Sequence, residues 1–315
     1  MGAKQNTSIP ESTQSWLLSS QTPSIRYLTL MHLLGKPGEG RDVIAARNAI
    51  PLSKPVQAIF NYQKLEGFWN TYKHYYSPKY RSSHWTMCLL TELAVPPDHE
   101  GLQKGASHML RRMENEALFY GEGQSTGFSC FWGNWLFYQL YCGNLQEPKV
   151  QAVINHVCDD IRRLCHCRYN YDKPCAWGVV RALNGLAAIQ KSERSQTVRS
   201  AIDRGIAFLV EENELIKADY PYEDKVNDLW TKMSFPLFYH TDILFVLRVL
   251  KELDTLTHPD VQPALQWLRE KQGKNGRWRG GSPFRKRTRP FLVEPDTPSN
   301  WVTLHAAIVL NAAHP

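Results

Sequence analysis

No run in this chain reaches the roughly 18 consecutive apolar residues that a membrane-spanning helix needs. No basic, apolar and small-residue succession opens it as a secretion signal would. Asn6 stands where a myristoylation signal after Met1-Gly2 requires Ser or Thr. A cytoplasmic protein without a transmembrane segment is therefore expected, with peripheral membrane contact left open. Period-two alternation bounded by Asn-Gly or Asp-Gly is also missing, so strands are not expected. The Rossmann fingerprint, the phosphate-binding glycine loop and any Ser-His-Asp motif are absent. No nucleic-acid-binding motif is present, and no nucleic-acid partner is expected. Seven Cys is an odd count in a chain of 315 residues, too long to need disulfide staples. Free or metal-bound thiols follow.

What the chain does have is apolar mass and positive charge. Hydrophobic residues make up 43%, enough for a large core, and ten Trp with fourteen Tyr give an aromatic-heavy supply. Core packing accounts for any single ring, but aromatics beyond core needs often line apolar ligand cavities. The net charge of +7 suits an anionic ligand or surface. It is concentrated in Arg277, Arg279, Arg285, Lys286, Arg287 and Arg289, a run whose ordinary role is a solvated loop.

After a polar arm over residues 1–22, with a short helix around Trp16, the chain repeats itself through 23–315 as a single domain. Six apolar starts recur about every 45–65 residues: Ser24–Thr29, Ser83–Thr86, Ser129–Gly133, Pro174–Gly178, Phe238–Asp242 and Ser299–Thr303. Between them lie striped segments such as Val150–Leu164, Val198–Leu209 and Val261–Leu268. A helix that is apolar all round must be buried on all sides, and a striped helix can cover it. About six inner and six outer helices therefore predict an all-α domain, an α/α toroid of helical hairpins. An open solenoid is the alternative.

Two segments share one spacing, Gln-x-x-x-Gly-x-Trp: Gln63 to Trp69 and Gln272 to Trp278. This resembles the Gln-Trp motif of squalene cyclases, within the terpenoid cyclase and protein prenyltransferase superfamily. The resemblance implies that Gln bonds backbone at a helix end, Gly turns the chain and Trp packs on the next hairpin. Phe238-Tyr-His-Thr241 looks like the stretch of prenyltransferase β-subunits that carries a zinc-binding His, which implies His240 as a ligand. In the matching segment Thr126–Trp132, Thr126 and Phe128 stand where that family has Asp and Cys. The Asp-x-Asp-Asp acid motif of the cyclases is absent, with Glu294-Pro-Asp296-Thr297 a partial echo. The resemblance implies an enzyme acting on an isoprenoid or other apolar substrate in a central aromatic-lined cavity. A non-catalytic ligand-binding or scaffold ring is the alternative, and a carbohydrate-active lyase is another, suggested by the Tyr-rich Tyr72–Tyr80 loop.

Three sets of residues could carry chemistry. Cys130 and Cys175 each stand two residues before Trp-Gly, and with Cys167 and His240 they could form a tetrahedral zinc site. Small buried residues at helix starts are the other reading of these cysteines. Lys79, Arg81, Arg168 and Lys173 precede inner helices, where helix N-termini favour anions such as a diphosphate. An apolar tail would then run among Trp85, Trp132, Trp177 and Tyr239. Asp242, Asp296 and His84 are the acid–base candidates. Asp242 is either a raised-pKa acid in the cavity or a helix first-turn residue.

Overall fold

Most helices begin where proline or a capping side chain allows it. Pro23, Pro55, Pro148 and Pro263 stand in first turns, where the missing N–H costs nothing. Cys175, Ser195 and Asp242 cap theirs by accepting a backbone N–H. The computed structural model describes residues 9–112, 128–217, 227–284, 287, 288 and 297–313. Its helices are α1 (Glu11–Leu18), α2 (Pro23–Leu28, prolonged by a π turn to Leu33), α3 (Arg41–Ala49), α4 (Lys54–Phe60), α5 (Ser83–Glu92), α6 (Glu100–Arg112) and α7 (Ser129–Tyr141). They continue with α8 (Pro148–Arg162), α9 (Ala176–Ala187), α10 (Gln196–Ile206), α11 (Ile243–Glu252), α12 (Gln262–Glu270) and α13 (Thr297–Ala312). The described residues contain no strand, so the protein is all-α. None of their helices is long and apolar enough to cross a membrane.

The expected alternation of helix types is present. In α5, α7, α9 and α11 the buried residues run round the whole helix, and Trp301 to Leu310 of α13 are buried without a break. In α6, α8, α10 and α12 burial follows one stripe, for example Val150, Val153, Ile154, Val157 and Ile161 of α8. The wholly buried helices touch in order: α5 packs on α7, α7 on α9, α9 on α11, α11 on α13, and α13 on α2 with its π turn. Striped helices back them, α6 on α5, α8 on α7, α10 on α9 and α12 on α11. The contact of α7 with α9 is the most extensive, because two glycines let the backbones meet. A Cβ on Gly133 would stand 2.1 Å from the Arg181 carbonyl oxygen, and one on Gly185 2.8 Å from that of Gly133.

One start is displaced from its expected place. Helix α11 begins at Ile243 rather than Phe238, because Phe238 takes φ +57° and Asp242 caps the helix. Both Gln-x-x-x-Gly-x-Trp segments fold alike. Gln63 Nε2 donates to the Gly67 carbonyl at 3.1 Å and Gln272 Nε2 to that of Gly276 at 3.0 Å. Trp69 Nε1 donates to Ile59 O at 2.9 Å and Trp278 Nε1 to Leu268 O at 2.8 Å. Their backbone N–H groups reach Ser83 Oγ on α5 and Thr303 Oγ1 on α13, both at 3.0 Å. Gly67 and Gly276 both take positive φ and lie against the next striped helix, α6 at Lys104 and α1 at Thr13. The Trp pair thus ties each turn to an inner helix, and the Gly pair ties it to an outer neighbour.

Candidate functional site

The starts of the inner helices build a continuous aromatic wall. Ring centroids of Trp85 lie 4.8 Å from Tyr76, 5.5 Å from Tyr80 and 5.8 Å from Tyr239. Phe284 closes on Tyr80 at 4.4 Å and on His240 at 4.6 Å, while Trp177 meets His240 at 4.7 Å. The Lys79 ammonium sits 4.7 Å from the Tyr239 centroid and 5.8 Å from that of Tyr76, within cation–π range of both. Lys79, Tyr76, Tyr239, His240 and Trp177 are all half-buried, so this wall reaches solvent. Among the expected ligand-binding residues it gathers Lys79, Trp85, Trp177 and Tyr239.

The others go elsewhere. Trp132 turns toward α8, 5.7 Å from His156 and 6.2 Å from Trp135. Arg81 spends its guanidinium on the backbone, donating to the carbonyls of Arg287 at 3.0 Å and Thr288 at 3.1 Å. Arg168 is exposed and lies over Phe128 and Tyr169, at 4.5 and 5.1 Å. Lys173 is exposed, and its carbonyl accepts the Cys167 N–H at 3.1 Å.

Cys130, Cys165, Cys167 and Cys175 lie close enough to influence one another's titration. Cys175 Sγ accepts the Gly178 N–H at 3.2 Å, so the thiol caps α9. A hydrogen bond with Cys167, then burial, holds Cys175 well above the usual thiol range. Burial, with Cys167 nearby, pushes Cys130 to about 11. Cys130 and Cys175 are therefore protonated at neutral pH. His240 packs among Tyr239, Phe284 and Trp177. Burial, followed by Arg181 and Lys79, lowers its imidazole to about 3. Among the described residues no group of three or more His, Cys, Asp or Glu side chains is placed to hold a metal ion. The expected zinc set of Cys130, Cys167, Cys175 and His240 does not form such a group: Cys175 caps α9, while the His240 imidazole stacks in the wall.

The acid–base candidates are similarly engaged. Asp242 is almost fully buried, with one carboxylate oxygen accepting from Phe245 N at 2.8 Å and the other from Ser234 N at 2.9 Å. Burial outweighs those bonds and raises it to about 7. His84 is sealed among Trp85, Phe131 and Tyr76, and burial lowers it to about 3. Asp296 lies outside the described residues, as do Glu294, Thr126, Arg285, Lys286 and Arg289.

Between the inner helices runs a polar column that the sequence reading passed over. Arg181 of α9 is 3% exposed. Its guanidinium donates to Asn134 Oδ1 at 3.4 Å and to the His240 carbonyl, and it stands 3.8 Å over the Phe245 ring. Arg248 of α11 pairs with Glu92 of α5 at 3.1 Å, and His305 of α13 is buried nearby. Cys88, Glu92, Asn134, Arg181 and Asn184 border a small void of about 10 Å³, room for one water. The signal was a cation flanked on both sides by apolar residues, as in Val179-Val-Arg181-Ala-Leu183 and Phe245-Val-Leu-Arg248-Val249. No family model matches this chain. No curated protein matches it either.

Proposed function

We propose that the chain is an α/α toroid of the terpenoid cyclase and protein prenyltransferase kind that binds an apolar molecule with an anionic head at its aromatic mouth. Ring closure is supported by the order of inner contacts and by the way α1 meets the Gly276 turn as α6 meets the Gly67 turn. The observation that carries the binding is Lys79, one ammonium set against the rings of Tyr76 and Tyr239 in a wall open to solvent. The ammonium supplies the counter-charge and the rings supply apolar area, about 25 cal/mol per Å² covered.

Retention rather than turnover is the form this geometry supports best. The void of about 10 Å³ has no space for an isoprenoid chain, so the ligand lies along the wall. Asp242 has both oxygens committed to backbone N–H groups, and His84 is sealed in the core as the neutral base. Titration calorimetry with farnesyl diphosphate, farnesol and inorganic pyrophosphate tests the reading. The diphosphate should bind tightest, and Lys79→Ala should weaken it about tenfold, the loss of one ~1.4 kcal/mol charge contact. Equal binding of wild type and variant, or no binding at all, removes the proposal. Consumption of farnesyl diphosphate by the wild type would instead establish an enzyme.

A further inference from the structure

A second groove carries a cluster of positive charge. It lies between the loop at 229–234 and the turn following α12, with a volume of about 1420 Å³. Lys232, Lys271, Lys274, Arg277 and Arg279 line it, and among the described residues no acidic side chain does. Lys232 is paired with Asp228 at 2.8 Å, but Lys274 and Arg279 meet no acidic partner among the described residues. Three polar atoms of its lining are buried with no hydrogen-bond partner among the described residues: Arg277 Nε, Ser282 Oγ and Asn300 Oδ1. Such atoms are costly to leave unpaired, so a partner that satisfies them gains affinity.

The three orphans specify chemistry. Arg277 Nε donates only, Asn300 Oδ1 accepts only, and Ser282 Oγ does either. The ligand must bring acceptors, negative charge and at least one N–H or O–H donor. A fully ionised polyphosphate has no donor to offer. Single-stranded nucleic acid needs open rings for base stacking. Trp16 is instead covered by the Arg277 guanidinium at 4.0 Å, and Trp278 is 1% exposed. The groove also exceeds the ~300–1,000 Å³ typical of small-molecule pockets.

We infer that this groove binds an extended acidic peptide segment of a partner protein. Glutamate or aspartate carboxylates pair with Lys274 and Arg279, a peptide carbonyl takes the Arg277 N–H, and a peptide N–H reaches Asn300. Fluorescence polarisation with a labelled peptide of about eight alternating Glu and Ala residues, some 27 Å when extended, tests it. A Lys–Ala peptide and an oligothymidylate serve as competitors. The acidic peptide should bind saturably, weaken with added salt, and bind at least ten times more weakly to the Lys274→Glu, Arg279→Glu double variant. Both positions are exposed, and circular dichroism confirms that the variant is folded. Absent binding, binding undiminished in the double variant, or displacement by oligothymidylate at lower concentration than by unlabelled peptide would overturn the inference. The last result would make the groove a nucleic-acid site.

Discussion

Thr13 and Gly276 are 263 positions apart, yet the Thr13 hydroxyl donates to the Gly276 carbonyl at 3.1 Å in a buried contact. That bond fastens α1 to the second Gln-x-x-x-Gly-x-Trp turn. Thr13→Val keeps the shape and strands the carbonyl, which should cost about 1–3 kcal/mol. Thr13→Ser should recover most of it. Urea unfolding of the three proteins checks the order, and equal stability of the Val variant would remove α1 from the fold's support.

Gly67 and Gly143 separate two effects that usually travel together. Both take positive φ, +89° and +84°. A Cβ at Gly67 would meet the Lys104 carbonyl oxygen at 2.2 Å, whereas one at Gly143 meets nothing within 4 Å. Gly143→Ala should therefore cost only the left-handed backbone term, about 1–2 kcal/mol. Gly67→Ala should cost at least ~2 kcal/mol more, because backbone has to move. Denaturant midpoints of the two variants measure the difference directly.

Asp242 gives a pH dependence with a definite sign. Its folded value is raised to about 7 from 3.8, chiefly by burial. The folded state thus holds the proton more tightly than the unfolded one. The associated stability is fully present below about pH 4 and is lost as pH rises through 7. The whole loss is on the order of 4 kcal/mol. Asp242→Asn should be less stable at acid pH, where it loses an acceptor, but should lack the decline. Unfolding free energies of both proteins from pH 4.5 to 8 check it, and parallel curves would show that the carboxyl titrates normally.

Periodicity and spacing made much of this fold legible, and orientation about the helix axis accounts for what they hid. The apolar and striped segments became buried and backing helices, and both Gln-Gly-Trp turns took the hydrogen bonds expected of them. Trp85, Trp132 and Trp177, however, stand third, fourth and second in α5, α7 and α9. At 3.6 residues per turn each step rotates a side chain about 100°, so equivalent motifs aim their rings differently. That is why Trp85 and Trp177 face the wall while Trp132 faces α8. The Arg81 guanidinium and the Cys175 thiol escaped for another reason. Each satisfies a backbone group, and sequence does not reveal which carbonyl or N–H lacks a partner. Arg181 was legible in principle, since a cation within an apolar helix demands compensation.

Arg181 yields the severest prediction, because three neighbours depend on its shape. Its planar guanidinium reaches Asn134 Oδ1 and the His240 carbonyl while stacking over Phe245. Burial, the first cause, lowers it to about 10, still charged at neutral pH. Arg181→Met fills the space but leaves both oxygens without a donor, and Arg248–Glu92 loses a neighbouring charge. The cost should be about 2–6 kcal/mol, two buried acceptors left unpaired at about 1–3 kcal/mol each. Lysine keeps the charge but offers no fork, so Arg181→Lys should recover less than half. Because the His240 carbonyl carries the tip of the aromatic wall, the Met variant should also bind farnesyl diphosphate more weakly under conditions where it remains folded. A Met variant as stable as wild type would mean that the column is hydrated well enough to replace the guanidinium with water.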